Sequence, residues 1–378
     1  YDEALAVLRD AEPVYPDYTD FTYMRGAVLL AAGCYSEAAR AFQKCLERGE
    51  SGPRHISEVG VGGYKALLGL GEALWKTGDL KGAADAFIAA AKAEPRHPGA
   101  VCCLAEMMLD AGLPPEQVCR SAGEYAAEKV TKRALAGVFL NRRLPDAALL
   151  LKNPGAGARA RAFWQKGDPL RALIELRGQD DADAMWLRGV CQAVSGDAGG
   201  ALETFRGLKE QLPEHAAAGK WLVDGTLPER EDCSTAFSDL VALLAEGGYK
   251  EKAAEAAALM NDPAQAGEAF RRAGMVGEAV ESYTAAISAG CDLPPEAFDF
   301  LSRTAKERGF IQEAAVLAAA AWERSPAPAR CARAVTALIA AGEVVDAERI
   351  LKKGSDMFPH AEILEKAGCA LKIAKSIR

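Results

Sequence analysis

The sequence predicts an all-α chain built as an α-solenoid of antiparallel helix hairpins. Three observations carry that reading. The composition favours helices: half of the 378 residues are hydrophobic, aromatics are 7%, and Ile and Thr number only ten each. β-Branched residues lose rotamer freedom in helices and collect in strands. Apolar and small residues recur at helical spacing, and the pattern repeats along the chain at roughly 34 residues. Gly-Asp pairs and prolines interrupt it at the places where a hairpin needs a turn and a stop.

The clearest unit runs Leu67, Leu70, Gly71, Leu74, Gly78, Asp79, Ala83, Phe87, Ala90, Pro95. The first four share one helical face. Gly78-Asp79 breaks the helix, Ala83, Phe87 and Ala90 line a second one, and Pro95 closes it. Two antiparallel helices approach closely only where small residues sit at the crossing, a role for Gly71 and Ala83. Phe87 then fills the space toward the next unit. A pair this small cannot bury its apolar face alone, so neighbours stack on it.

The same signature recurs as Gly26, Gly33, Ala38, Phe42; as Gly189, Gly196, Asp197, Ala201, Phe205, Leu208, Pro213; and as Gly267, Phe270, Gly274, Ala279, Tyr283, Ala286. Near the end it reads Gly309, Ala314, Ala321, Pro326 and then Gly342, Ala347, Leu351, Pro359. The chain opens on a second helix only, through Ala4, Leu8, Ala11 and Pro16. On these residues the chain resembles a tetratricopeptide-repeat protein of the degenerate bacterial type. The resemblance implies a right-handed superhelix of roughly ten to eleven helix pairs. The first helix of each pair lines a concave groove that receives peptides or protein segments.

Irregularities divide the array. Residues 1–111 read as N-terminal repeats with a Gly-rich inserted loop near 49–63 that contains Pro53 and His55. Residues 112–180 read as short, irregular helical repeats punctuated by Pro114-Pro115, Pro145, Asn153-Pro154-Gly155 and Asp168-Pro169. One repeat follows over 181–224, and further repeats over 225–359. The stretch Asp224–Asp232 (Gly225, Pro228 and four acids) reads as a hinge. Residues 360–378 read as a terminal helix that caps the last apolar face.

No motif carries catalysis, metal or cofactor. The four histidines (His55, His97, His215, His360) stand apart, no Cys pair forms CxxC, and Cys102-Cys103 point to different faces of a helix. Gly60-Val61-Gly62-Gly63 lacks the strand–loop–helix setting and the GK[ST] ending of a phosphate loop. Asp180-Asp181 reads as a helix cap. The chain is therefore expected to be a non-enzyme with no catalytic, cofactor or metal residues. The net charge of −8 argues against a nucleic-acid coat. Locally the balance reverses: residues 120–177 hold twelve basic and five acidic residues, an excess of +7. That arc is either a solvated convex face or a surface for an acidic partner.

Aligned on the clear units, the groove-facing positions include Tyr23, Leu30, Leu68, Glu72, Trp75 and Lys76, then Arg161, Trp164 and Trp186, then Glu268, Arg271, Arg272, Arg303 and Lys306. Trp combines a large apolar body with one N–H and is enriched at binding hot spots, although on a helix it more often fills the core between repeats. The resulting expectation is a protein-interaction scaffold. A second reading is a small-ligand or transporter-accessory protein with a cavity in the curved array. No stretch is apolar enough to span a bilayer. The start at Tyr1 inside a repeat suits an exported, periplasmic protein whose leader or lipid anchor has been removed, whereas ten scattered cysteines suit the cytoplasm. A capped acidic array is expected to be monomeric or weakly oligomeric.

Overall fold

The structure, a computed structural model, describes residues 1–52, 54–126, 128–227, 234–260 and 262–377. Every regular element among them is an α-helix. Packing divides the chain into two units, Tyr1–Met107 with Pro294–Arg378, and Met108–Leu293. The first unit thus joins both ends of the sequence, a discontinuity that a reading of segments in chain order does not contain.

The first unit opens with α1 (Asp2–Ala11), α2 (Thr19–Ala31), α3 (Tyr35–Arg48), α4 (Tyr64–Thr77), α5 (Leu80–Ala93) and the part of α6 (Gly99–Asp110) up to Met107. The second contains α7 (Pro115–Gly123), α8 (Lys129–Asn141), α9 (Pro145–Leu150), α10 (Ala156–Gln165), α11 (Pro169–Glu175) and α12 (Ala182–Val194). It continues with α13 (Ala198–Leu208), α14 (Pro213–Asp224), α15 (Ser234–Glu246), α16 (Lys250–Ala257), α17 (Pro263–Arg272) and α18 (Val276–Ser288). The first unit is completed by α19 (Pro295–Glu307), α20 (Ile311–Arg324), α21 (Pro328–Ala341), α22 (Val344–Met357) and α23 (Glu362–Ile377). Successive helices pack as antiparallel hairpins, α2 with α3, α4 with α5, α12 with α13, α17 with α18, α19 with α20 and α21 with α22. The architecture is an α-solenoid of helix hairpins.

Turn chemistry follows the sequence. Gly78 closes α4 in the left-handed conformation, at φ 94°, which glycine reaches without a Cβ penalty. Asp79 then caps α5 by accepting the Gly82 N–H at 2.9 Å. Asp197 repeats this at α13 with the Gly200 N–H at 2.9 Å, and Asp181 caps α12 through the Ala184 N–H at 3.0 Å.

Between the helices of a hairpin, a glycine and an aromatic ring sixteen residues later interlock. A Cβ on Gly26 would lie 2.8 Å from the Phe42 ring, one on Gly71 2.5 Å from Phe87, and one on Gly267 2.6 Å from Tyr283. Gly189 and Phe205 make the same pair. The rings are buried, Phe87 and Tyr283 completely. The next helix supplies a second glycine to the same ring: Gly69 of α4 meets Phe42, and Gly219 of α14 meets Phe205. Phe42 and Phe205 are thus wedged against the next helix, which is how the units bury faces they cannot bury alone. Where the aromatic position is occupied by Ala318, the glycine position holds Ser302, whose hydroxyl donates to the Ala314 carbonyl at 2.7 Å.

The insert between α3 and α4 is tied to the start of α2. Asp20, 5% exposed, accepts the Ser51 hydroxyl at 2.8 Å, the Ser57 hydroxyl at 2.5 Å and the Glu58 N–H at 2.9 Å. Gly62 lies against the Gly49 backbone, where no side chain would fit. Within the same unit the sequence ends meet. The Glu362 carboxylate accepts the Ser36 N–H at 2.8 Å and so caps α3, whose own Cys34 supplies no side-chain cap. The Tyr1 and Phe358 rings lie 6.0 Å apart.

The second unit holds the short helices, α9 and α11 having six and seven residues. Pro at their first turns costs no hydrogen bond. α14 packs on α12, α13 and α15 and breaks the pairwise rhythm. It ends at Asp224, with Gly225 left-handed behind it. Residues 228–232 of the expected hinge lie outside the described residues, as does Pro53.

Candidate functional site

An open cleft of about 570 Å³ lies between α2, α4 and the start of α6 in the first unit. Its apolar wall comes from Tyr23, Ala27, Leu30 and Ala31 of α2 and from Leu68 of α4, with Phe42 beneath them. Gly69 is what admits Phe42 to that floor. Tyr23 and Phe42 meet edge to face with ring centroids 5.6 Å apart. Tyr23, Leu30, Leu68 and Glu72, all placed on the groove side by sequence alignment, come together here.

The polar lining is asymmetric. At one end the insert carries Glu58 to Lys65, an ion pair at 2.5 Å, and Lys65 also lies 5.9 Å from the Tyr64 ring. At the other end stand Glu72 and Cys103, while His97, its ring 5.0 Å from that of Tyr64, and Gly99 complete the lining. Glu72 is exposed and makes no ion pair among the described residues. Burial raises the Tyr23 phenol above its ordinary pKa, with Glu58 adding to the effect. Burial also raises the Cys103 thiol, reinforced by Glu72 and Glu106. A second acidic contribution reaches Tyr35, whose phenol is raised by burial and then by Glu72 and Glu362. No group of three or more His, Cys, Asp or Glu able to hold a metal occurs among the described residues.

Of the other expected groove residues in this unit, Trp75 is half-buried with the Lys76 ammonium 5.3 Å from its ring centroid. Neither lines the cleft. Arg303 and Lys306 are exposed on α19.

A model of the tetratricopeptide-repeat family matches residues 1–53, 61–118 and 158–216, somewhat under half of the chain. These segments contain the Gly26–Phe42, Gly71–Phe87 and Gly189–Phe205 pairs. These three segments are tetratricopeptide repeats. No curated protein matches it by sequence. Among solved structures it is similar to one of Naa15/Naa10 bound to HypK-THB, at 14% identity and a TM-score of 0.27, covering 92% of this chain and 64% of that one. It is also similar to yeast Tom70, at 12% identity and a TM-score of 0.30, covering 99% of this chain and 86% of that one. The chain thus spans just under two thirds of the first of these. At such scores the fold rests on the helices and interlocks described above. The repeats make the protein an interaction scaffold in general terms. No helix among the described residues is long and apolar enough to cross a membrane.

The second unit corrects part of the sequence-based groove. Trp164 is completely buried. Its ring lies against Gly247, stacks on Tyr249 at a centroid distance of 5.3 Å, and donates its indole N–H to the Leu243 carbonyl at 2.8 Å. Trp164 is a core residue that uses its one polar atom internally, so it offers no surface to a partner. Arg161 is turned to Glu246, its Nε donating at 2.9 Å, and Arg143 approaches the same carboxylate at 3.4 Å. Glu246 is nearly buried and its compensation occupies both cations and Gln165. Trp186, 8% exposed, packs on Phe205 and edge-on to His215 at 5.1 Å.

Arg271 makes a forked pair with Glu268, at 2.7 Å through Nε and 2.5 Å through Nη2, and the Tyr283 hydroxyl donates to the same carboxylate at 2.8 Å. Arg272 pairs with Asp239 at 3.1 Å, and His215 lies 3.2 Å from that Asp. Arg272 thus ties α17 to α15, whereas Arg271 pairs within α17 with the carboxylate that receives Tyr283 of α18. The basic arc is treated similarly: Arg142 pairs with Asp110, Arg159 with Glu175, Arg171 with Asp168, and Lys166 with Asp146. Lys129 and Lys132, beside Arg159 at a cavity of about 450 Å³, make no ion pair among the described residues.

Proposed function

We propose that this scaffold holds a peptide or protein segment in the cleft between α2 and α4, with Tyr23, Leu30 and Leu68 as its apolar contacts. The observation that supports the reading is the convergence of these first-helix side chains on one open cleft floored by Phe42. Apolar surface of this kind is costly to leave in water, and a side chain inserted into it recovers about 25 cal/mol for each Å² it covers. The polar ends supply orientation, as in other peptide-binding grooves. The test is selection from a displayed random-peptide library. The wild-type protein should enrich sequences that a Leu68→Glu variant does not. Equal enrichment by both proteins contradicts the assignment.

A further inference from the structure

Resting on that reading of the cleft, we infer that it selects a segment in which a large apolar residue is accompanied by a Lys or Arg, the apolar side chain lying over Leu68 and the cation beside Glu72. The lining carries three formal charges. Glu58 and Lys65 neutralise each other at 2.5 Å. Glu72 is left as the uncompensated charge of the lining, exposed and within reach of a ligand. The nearest cation along its helix, Lys76, is directed over the Trp75 ring at 5.3 Å. The Glu72 end of the cleft is therefore negative. Burial raises the Cys103 thiol and the Tyr35 phenol, and the nearby Glu72 carboxylate adds to both.

Helix geometry fixes the spacing of the two requirements. Leu68 and Glu72 are four residues apart on α4, so their Cβ atoms are neighbours at about 5–6 Å. A ligand must present its apolar and basic groups at a similar separation. Residues i and i+2 of an extended segment do so, about 7 Å apart on one face. So do residues i and i+4 of a helix. An acidic residue at the second position would face Glu72 with no cation to receive it. The charge thus acts on specificity, with the apolar wall supplying the contact area.

The experiment is parallel selection of one displayed random-peptide library on three purified full-length proteins: wild type, Glu72→Lys and Leu68→Glu. Glu72 is exposed, so its replacement leaves the core intact, and circular dichroism melts check each variant. Wild-type peptides should carry Lys or Arg beside an apolar residue. Resynthesised peptides should bind at least tenfold more tightly by fluorescence anisotropy than versions with Glu at that position. Glu72→Lys should invert the preference. Wild-type peptides that depend on Leu68 but show no basic preference, or keep it on Glu72→Lys, overturn the charge inference while the cleft reading stands. Enrichment that is the same on Leu68→Glu removes the cleft reading itself, and this inference with it.

Discussion

The Phe205 ring occupies the space that a side chain on Gly189 would need, and Gly219 gives way to the same ring from the next helix. This relationship separates two kinds of helical glycine. Gly189→Ala improves helix propensity by up to about 1 kcal/mol but forces the ring out of its seat, at about 1–3 kcal/mol. Net destabilisation is expected, read as a lower midpoint in urea. Gly137→Ala, in α8 with open space around it, should stabilise by up to about 1 kcal/mol. Trimming the ring in Gly189→Ala/Phe205→Leu should recover part of the first loss. Equal effects of the two single substitutions would contradict the interlock.

Trp164 and Glu246 are expected to behave as core. Trp164→Ala should cost about 3–5 kcal/mol in unfolding, and Glu246→Ala should also destabilise because Arg143 and Arg161 lose their shared partner. Neither should change the affinity of a cleft peptide while the protein remains folded. Urea melts and anisotropy titrations of the same samples measure both.

Asp20 makes the insert sensitive to acid. Burial raises its carboxyl, but hydrogen bonds from Ser57, the Glu58 amide and Ser51 outweigh that and hold it below its ordinary value. The unfolded carboxyl binds a proton near pH 3.9. The contribution is therefore complete above that value and is lost as pH falls through the lower folded value. Asp20→Asn should destabilise at pH 7, and its difference from wild type should shrink steadily below about pH 4. Thermal melts across that range follow it.

The cysteines should react unevenly. Burial pushes Cys45 and Cys191 to about 12 and Cys331 to about 11, while Cys369 is exposed. The thiolate is the reactive form. Iodoacetamide at pH 8 should modify Cys369 at least about a hundredfold faster than Cys191. A time course by peptide mass spectrometry gives the order.

The repeat was legible because its rules are local. Gly71 and Phe87 are sixteen residues apart, and the turn at Gly78-Asp79 lies between them, so periodicity alone locates the hairpin. The same offsets place Tyr23, Leu68 and Glu72 on corresponding first-helix faces, and the cleft follows. Contacts that skip units leave no periodic trace. Trp164 meets Leu243 across 79 residues, and Ser36 meets Glu362 across 326. Nothing in the 112–180 stretch marks Trp164 as the partner of Gly247, so its groove-like offset leaves a binding role and a core role both open. The arginines mislead for the same reason, since Asp239 and Glu246 lie far from Arg272 and Arg161 in sequence.

Hydrogen exchange with and without a library-selected peptide tests the central assignment most directly. Bound peptide should slow exchange in α2 and α4 around Tyr23 and Leu68, and the slowing should disappear in Leu68→Glu. Slowing confined to residues 108–293, with α2 and α4 unchanged, would contradict the assignment.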